Sequence, residues 1–194
     1  MVSGGISVAY LSGGHIERTA KLVHQALRVP SHGRIPINWL LEHGLDLIFE
    51  DAYFDIEFDS KLGGAEARTS YHEPLIVVSQ TTYDKLERGD PRARMTIAHE
   101  VGHLLLHCRR PITMNKSARY DRHTDPEWQA DLFAAALLMP KEAFKKMKSV
   151  DEAMRTFGVS RSAAITRAKW LHQPLAGIPE IPERKKKATP KRRH

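Results

Sequence analysis

His99-Glu100-Val101-Gly102-His103 sets two imidazoles four positions apart with a carboxylate beside the first, and the residues around it decide how the chain reads. On an α-helix, positions i and i+4 share a face. Two neutral imidazoles so placed can reach one ion at about 2.0–2.1 Å from each nitrogen, the arrangement of a catalytic zinc that keeps a position for water. The surrounding stretch 92–108 has apolar residues at Ile97, Ala98, Val101, Leu104, Leu105 and Cys108, the i, i+3, i+4, i+7 stripe of an amphipathic helix. His99 and His103 fall on a different face. A helix of this kind packs one side into the core and offers both histidines from the other, with Glu100 able to act on a bound water.

The second informative stretch is residues 125–140, Asp-Pro-Glu-Trp-Gln-Ala-Asp-Leu-Phe-Ala-Ala-Ala-Leu-Leu-Met-Pro. It reads as a buried helix with Asp125 as N-cap, Pro126 at the first helical position and Pro140 at the far boundary. Glu127 then lies in the first turn, where the helix dipole favours a carboxylate. Ala130 and Ala134 are small enough to let another backbone come close. Glu127 follows His103 by 24 positions and is the candidate third ligand, completing a His2Glu site for one zinc ion per chain. Asp131, one turn further, is the candidate to hold a ligand imidazole through its other N–H. In the polar stretch 116–124, Tyr120 and His123 are candidate stabilisers of a tetrahedral oxyanion. His107 lies about 80° round an ideal helix from His99 and reads as a helix-end residue. Cys108, the only cysteine, reads as a small buried hydrophobe.

With these residues the chain resembles the ImmA/IrrE family of bacterial and phage zinc metallopeptidases. The resemblance is carried by the run from Arg94 through His99, Glu100 and His103 to His107, and by the run from Glu127 to Leu137-Leu138-Met139-Pro140. It extends more weakly over residues 35–172. It implies an α+β fold with a gluzincin-like core, in which a small antiparallel sheet packs on the HExxH helix beside a second, ligand-bearing helix. It also implies His99, His103 and Glu127 as zinc ligands and Glu100 as general base. Some members cleave or inactivate a helix-turn-helix repressor and others sit beside toxin-antitoxin components. The implied partner is therefore a protein substrate, a helix-turn-helix repressor or antitoxin-like regulator.

The remaining segments give four units: an N-terminal segment 1–34 with one helix at 16–27, the peptidase core 35–140, a helical segment 141–175 and a basic tail 176–194. Within the core, the pattern predicts a short helix over 36–43 stopped at Gly44, a strand over 45–50, and a hairpin over 67–71 and 75–79 directly before the metal-binding helix. In gluzincin-like sites an edge strand beside the zinc pairs with extended substrate, so Leu75, Ile76, Val77, Val78 and Ser79 are candidates to hold a peptide by β-augmentation. After Pro140, helical units over 141–147, 150–157 and 161–171 are punctuated by a capping box at Ser149 and Glu152, by Gly158 and by Ser160. This spacing is similar to a helix-turn-helix, in which Arg161, Arg167 and Lys169 would meet phosphates.

Arg184, Lys185, Lys186, Lys187, Lys191, Arg192 and Arg193 supply seven positive charges, so residues 1–183 are formally neutral and the net charge of +7 arises from the last residues of the tail. With Pro179, Pro182 and Pro190, the tail reads as disordered and able to bind nucleic acid non-specifically through phosphates. A 41% hydrophobic content supports a core. No apolar run approaches the length of a membrane span, and the first residues lack the basic start of a signal peptide, so the expected location is the cytoplasm. Two functions remain open: a zinc endopeptidase with a narrow protein substrate, and a non-catalytic transcription-linked or toxin-antitoxin binding module with a structural or vestigial metal site. The intact set His99, Glu100, His103 and Glu127 favours the first.

Overall fold

The computed structural model describes residues 5–115 and 121–178. Strand β1 (Gly5–Ser7) leads to helix α1 (Gly13–Ala26), opened by Ser12, whose hydroxyl accepts from the His15 amide. Ile16, Ala20, Val23 and Leu27 give α1 a buried face. The next segment departs from its expected form. Helix α2 (Ile37–Trp39), a π-helical turn (Leu40–Gly44) and helix α3 (Leu45–Ile48) make one helical run where a helix stop and a strand over 45–50 were expected. Gly44 does not end the helix because its φ of −110° and ψ of −8° stay in the right-handed region. It serves close packing instead: a Cβ there would lie 3.1 Å from the Leu27 side chain and 3.3 Å from that of Trp39.

Strands β2 (Tyr53–Glu57), β3 (Ala67–Thr69) and β4 (Leu75–Ser79) form a sheet in the order β2-β4-β3. The hairpin of β3 and β4 is antiparallel, but β2 runs parallel to β4, so the sheet is mixed rather than antiparallel. Its centre is β4, with Ile76 and Val78 fully buried. This corrects the substrate-strand assignment. Leu75, Ile76, Val77, Val78 and Ser79 already have backbone partners on both sides and leave no ladder for a peptide to join. The open flank on the β3 side belongs to Ala67–Thr69.

Helix α4 (Gln80–Glu87), capped by Ser79, separates the hairpin from helix α5 (Pro91–His107), so the two are not directly joined as expected. Asp90 caps α5 by accepting from the Arg92 and Ala93 amides. Strand β5 (Thr113–Asn115) pairs antiparallel with β1, and helix α6 (Pro126–Leu138) follows, capped by Asp125 through the Glu127 amide. Apart from Glu127, Trp128 and Asp131, α6 is buried along its whole length. Helix α5 packs tightly on it at Gly102, where a Cβ would meet Ala130 Cα and Phe133 at 3.1 Å. Helix α1 also packs against α6, and His24 Nε2 lies 2.8 Å from the Leu137 carbonyl.

Helices α7 (Lys141–Phe144), α8 (Val150–Phe157) and α9 (Arg161–Trp170) close the described chain. Ser149 and Ser160 cap α8 and α9, and Gly158 adopts φ 63° in the turn between them. Two of the three cations assigned to phosphate are engaged within the protein. Arg167 is fully buried and forks onto Glu17 at 2.6 and 3.0 Å, and Arg161 bonds Asp151 and the Gly177 carbonyl. Among the described residues no helix is long and apolar enough to cross a membrane. The seven charges of the basic tail lie outside the described residues.

Candidate metal centre

Helix α5 carries His99, Glu100 and His103, and the first turn of α6 carries Glu127. The close approach at Gly102 brings these two elements together. The ligand atoms of His99, His103 and Glu127 lie within 4.8 Å of one another. His99 Nε2 and His103 Nε2 are 2.9 Å apart, Glu127 Oε2 is 3.3 Å from His99 Nε2, and Glu127 Oε1 is 3.5 Å from His103 Nε2. Donors on a tetrahedral ion with bonds of 2.0–2.1 Å stand about 3.3 Å apart, so the spacing and the His2Glu chemistry both fit zinc.

Electrostatics accord with a cation at this place. Burial works against charge on His99, yet hydrogen bonds to Asp131 and Glu127 outweigh it and raise the pKa to about 10. The His103 and His99 rings beside it hold the Glu127 carboxyl far below the ordinary range. The protein has built a cluster that wants one positive charge between its nitrogens and its carboxylate; a proton or a metal ion can supply it. Asp131 Oδ1 accepts from His99 Nδ1 at 2.9 Å, which leaves Nε2 as the nitrogen facing the cluster.

Glu100 is buried beside this cluster, and its aim is set by the sheet. The Thr69 hydroxyl donates to Glu100 Oε2 at 2.7 Å and approaches the Glu100 carbonyl at 3.0 Å. Tyr71, just past β3, meets the His103 ring edge-on with centroids 6.1 Å apart. Burial and then the carboxylates of Glu127, Glu100 and Asp125 push its phenol pKa up, so it keeps its proton at neutral pH. Neither residue stood out in the sequence. A threonine and a tyrosine in a hairpin carry no spacing signal, and only strand pairing brings them to α5.

His123 sits elsewhere. Its ring is bonded to Asp121 and packs against Tyr10 and Trp128, and it lines a cleft with Gly13, Glu17 and Trp170. Tyr120 lies outside the described residues. His107 ends α5, as the sequence suggested, and it is 1% exposed, with Nδ1 3.0 Å from His103 Nδ1 and Nε2 3.0 Å from Gln129 Oε1. The i+4 spacing from His103 was the available signal for His107. Cys108 is buried, in keeping with its place on the apolar stripe.

The family model described as the IrrE N-terminal-like domain, a peptidase family of class M78, matches residues 59–169, more than half of the chain. No curated protein matches it.

Proposed function

We propose, from the premise that this chain belongs to the IrrE N-terminal-like peptidase family, that it is a zinc-dependent endopeptidase acting on a specific intracellular protein, a helix-turn-helix repressor or antitoxin-like regulator. The observation that carries this reading is the convergence of His99, His103 and Glu127 beside the buried carboxylate of Glu100. In such a site His99, His103 and Glu127 would hold the ion. When bound, zinc supplies Lewis acidity to a scissile carbonyl and a water of lowered pKa.

The work of the chain's own residues follows from their chemistry. Glu100 accepts the proton of the attacking water and returns it to the leaving amine, and Thr69 fixes the carboxylate for both transfers. The open flank of β3 is the ladder on which an extended peptide backbone would lie, next to Thr69 and so next to the general base. Tyr71, protonated and beside His103, is the described residue suited to donate to a developing oxyanion.

The test uses the purified chain with a helix-turn-helix repressor or antitoxin-like regulator as candidate substrate. Glu100→Gln should retain about one zinc per chain and lose cleavage, whereas Glu127→Ala should lose the zinc. Cleavage by the Glu100→Gln protein at the wild-type rate would end this mechanism. Protein that takes up no zinc after reconstitution would point to the binding-module reading.

A further inference from the structure

Beyond the ligands lies a chain of buried hydrogen bonds whose polarity is fixed from its far end. Gln129, fully buried on α6, directs its amide nitrogen at two backbone carbonyls, those of Ala9 (2.9 Å) and His123. Carbonyls only accept, so both amide hydrogens are committed there and the side-chain oxygen must be the atom facing His107 Nε2. An amide oxygen also only accepts. His107 Nε2 therefore carries a hydrogen, and the neutral ring has its lone pair on Nδ1. That lone pair faces His103 Nδ1 at 3.0 Å, which must then donate. The lone pair of neutral His103 is left on Nε2, the nitrogen that faces His99 and Glu127.

We propose that His107 and Gln129 are positioning residues that lock His103 in the tautomer able to bind metal, and that the N-terminal segment, through the Ala9 carbonyl, is part of the lock. The inference rests on the metal reading of His99, His103 and Glu127. It reaches beyond that reading because Ala9 lies outside the residues the family model matches. The segment is seated for this purpose by two backbone bonds, from the Val8 amide to the Thr124 carbonyl and from the Leu11 amide to the His123 carbonyl. These flank Gln129 and hold Ala9 over it. His107 is buried between His103 and the neutral Gln129 amide, a setting that favours a neutral ring; a charged ring would present a donor from Nδ1 and turn His103 round, placing a hydrogen where the metal should bind.

The same logic makes the two ligand histidines unlike. His99 is oriented by an exposed carboxylate, Asp131, and gains negative charge from it. His103 is oriented by a neutral imidazole backed by a neutral amide, so its support is directional and contributes no charge.

Two measurements on the full chain test the lock. Long-range proton–nitrogen NMR of the zinc-loaded wild type should show His107 protonated at Nε2 and bare at Nδ1. The opposite tautomer, or an imidazolium, overturns the proposal, and this readout needs no variant to fold. Chelator competition then compares zinc affinity. His107→Leu and Gln129→Met should each bind zinc about 10–100-fold more weakly, the usual effect of losing a partner behind a ligand. His107→Asn, whose side-chain oxygen stands near the position of Nδ1, should recover most of that loss. Wild-type affinity in His107→Leu, or no recovery in His107→Asn, overturns the lock. Wild-type protein that binds no zinc would instead defeat the metal reading itself, whereas tight zinc binding with His107 in the wrong tautomer would defeat only this inference.

Discussion

Thr69 Oγ1 stands 2.7 Å from Glu100 Oε2, so a residue 31 positions upstream, on a different element, holds the carboxylate of the metal-binding helix. A hydroxyl has one hydrogen, and the shorter of its two contacts is to the carboxylate rather than to the Glu100 carbonyl. Hydrogen bonds to charged groups are the stronger class, worth about 1.5–3 kcal/mol. Thr69→Val keeps the shape of the side chain and removes that bond. The expected outcome is a fall in kcat of roughly 10- to 100-fold with unchanged zinc content, and Thr69→Ser should restore most of the rate. An unaltered kcat in Thr69→Val would show that Glu100 is held by its packing alone.

Gly102 makes a separate prediction, about how the ligands of two helices stay together. A methyl group at this position would press on Ala130 Cα and Phe133 at 3.1 Å and on the Ala130 carbonyl at 3.2 Å. Two of these contacts are backbone, which cannot rotate aside, so Gly102→Ala should push α5 and α6 apart by a few tenths of an ångström. Overpacking of this kind costs about 1–3 kcal/mol. Calorimetry should show a lower Tm, and zinc affinity should fall with it because Glu127 retreats from His99 and His103. A Gly102→Ala protein as stable as the wild type would mean that the helices separate without strain.

The parts of this architecture that were legible are those written in local periodicity. The helical stripe of α5, the Asp125–Pro126 start of α6, the small Ala130 and the caps Ser149, Gly158 and Ser160 all act within a few residues of themselves. The strand β2 carries the period-2 alternation of a half-buried strand, Phe54 and Ile56 against Asp55 and Glu57, but the more continuous apolar run after Gly44 reads as the stronger strand and is helical. Sheet order is a non-local property. Nothing in Leu75–Ser79 says that Tyr53–Glu57 will pair with its other side, and that pairing is what moved the open edge to β3. The ligands and Asp131 could be proposed from spacing on two helices, whereas Thr69, Tyr71, Gln129 and Ala9 depend on contacts between elements far apart in the chain.

The charge on His99 gives metal-free protein a defined pH response. Its folded pKa, about 10, lies above the ordinary 6.5, so its contribution to stability is complete below pH 6.5 and is lost as pH rises towards 10. Glu127 is lowered from 4.5, so its contribution is present above pH 4.5 and is lost as pH falls below it. Between about pH 4.5 and 6.5 both contributions are complete. The difference in Tm between metal-free wild type and metal-free His99→Gln should therefore be largest in that window and shrink steadily on the alkaline side. A difference that stays constant up to pH 10 would show that His99 is not charged in the folded protein.

Arg167 supplies the last prediction and bears on the helical segment that follows the core. Its guanidinium is fully buried, forks onto both Glu17 oxygens and donates through Nε to the Met139 carbonyl at 3.0 Å, tying α9 to α1 and to the end of α6. A planar, always-charged fork is suited to this bidentate role, and lysine cannot reproduce it. Arg167→Met removes the charge while keeping much of the volume, and leaves the Glu17 carboxylate and a buried carbonyl without their donor. Breaking a buried pair from one side costs about 3–5 kcal/mol, and the lower figure applies here because Glu17 retains some contact with solvent. Denaturant unfolding should show a loss of about 3 kcal/mol, with Arg167→Lys losing nearly as much. If Arg167 instead met phosphate, Arg167→Met would weaken nucleic-acid binding and leave the unfolding midpoint where it was. The geometry of the fork on Glu17 favours the first outcome, in which α9 is a structural brace against α1 and the end of α6.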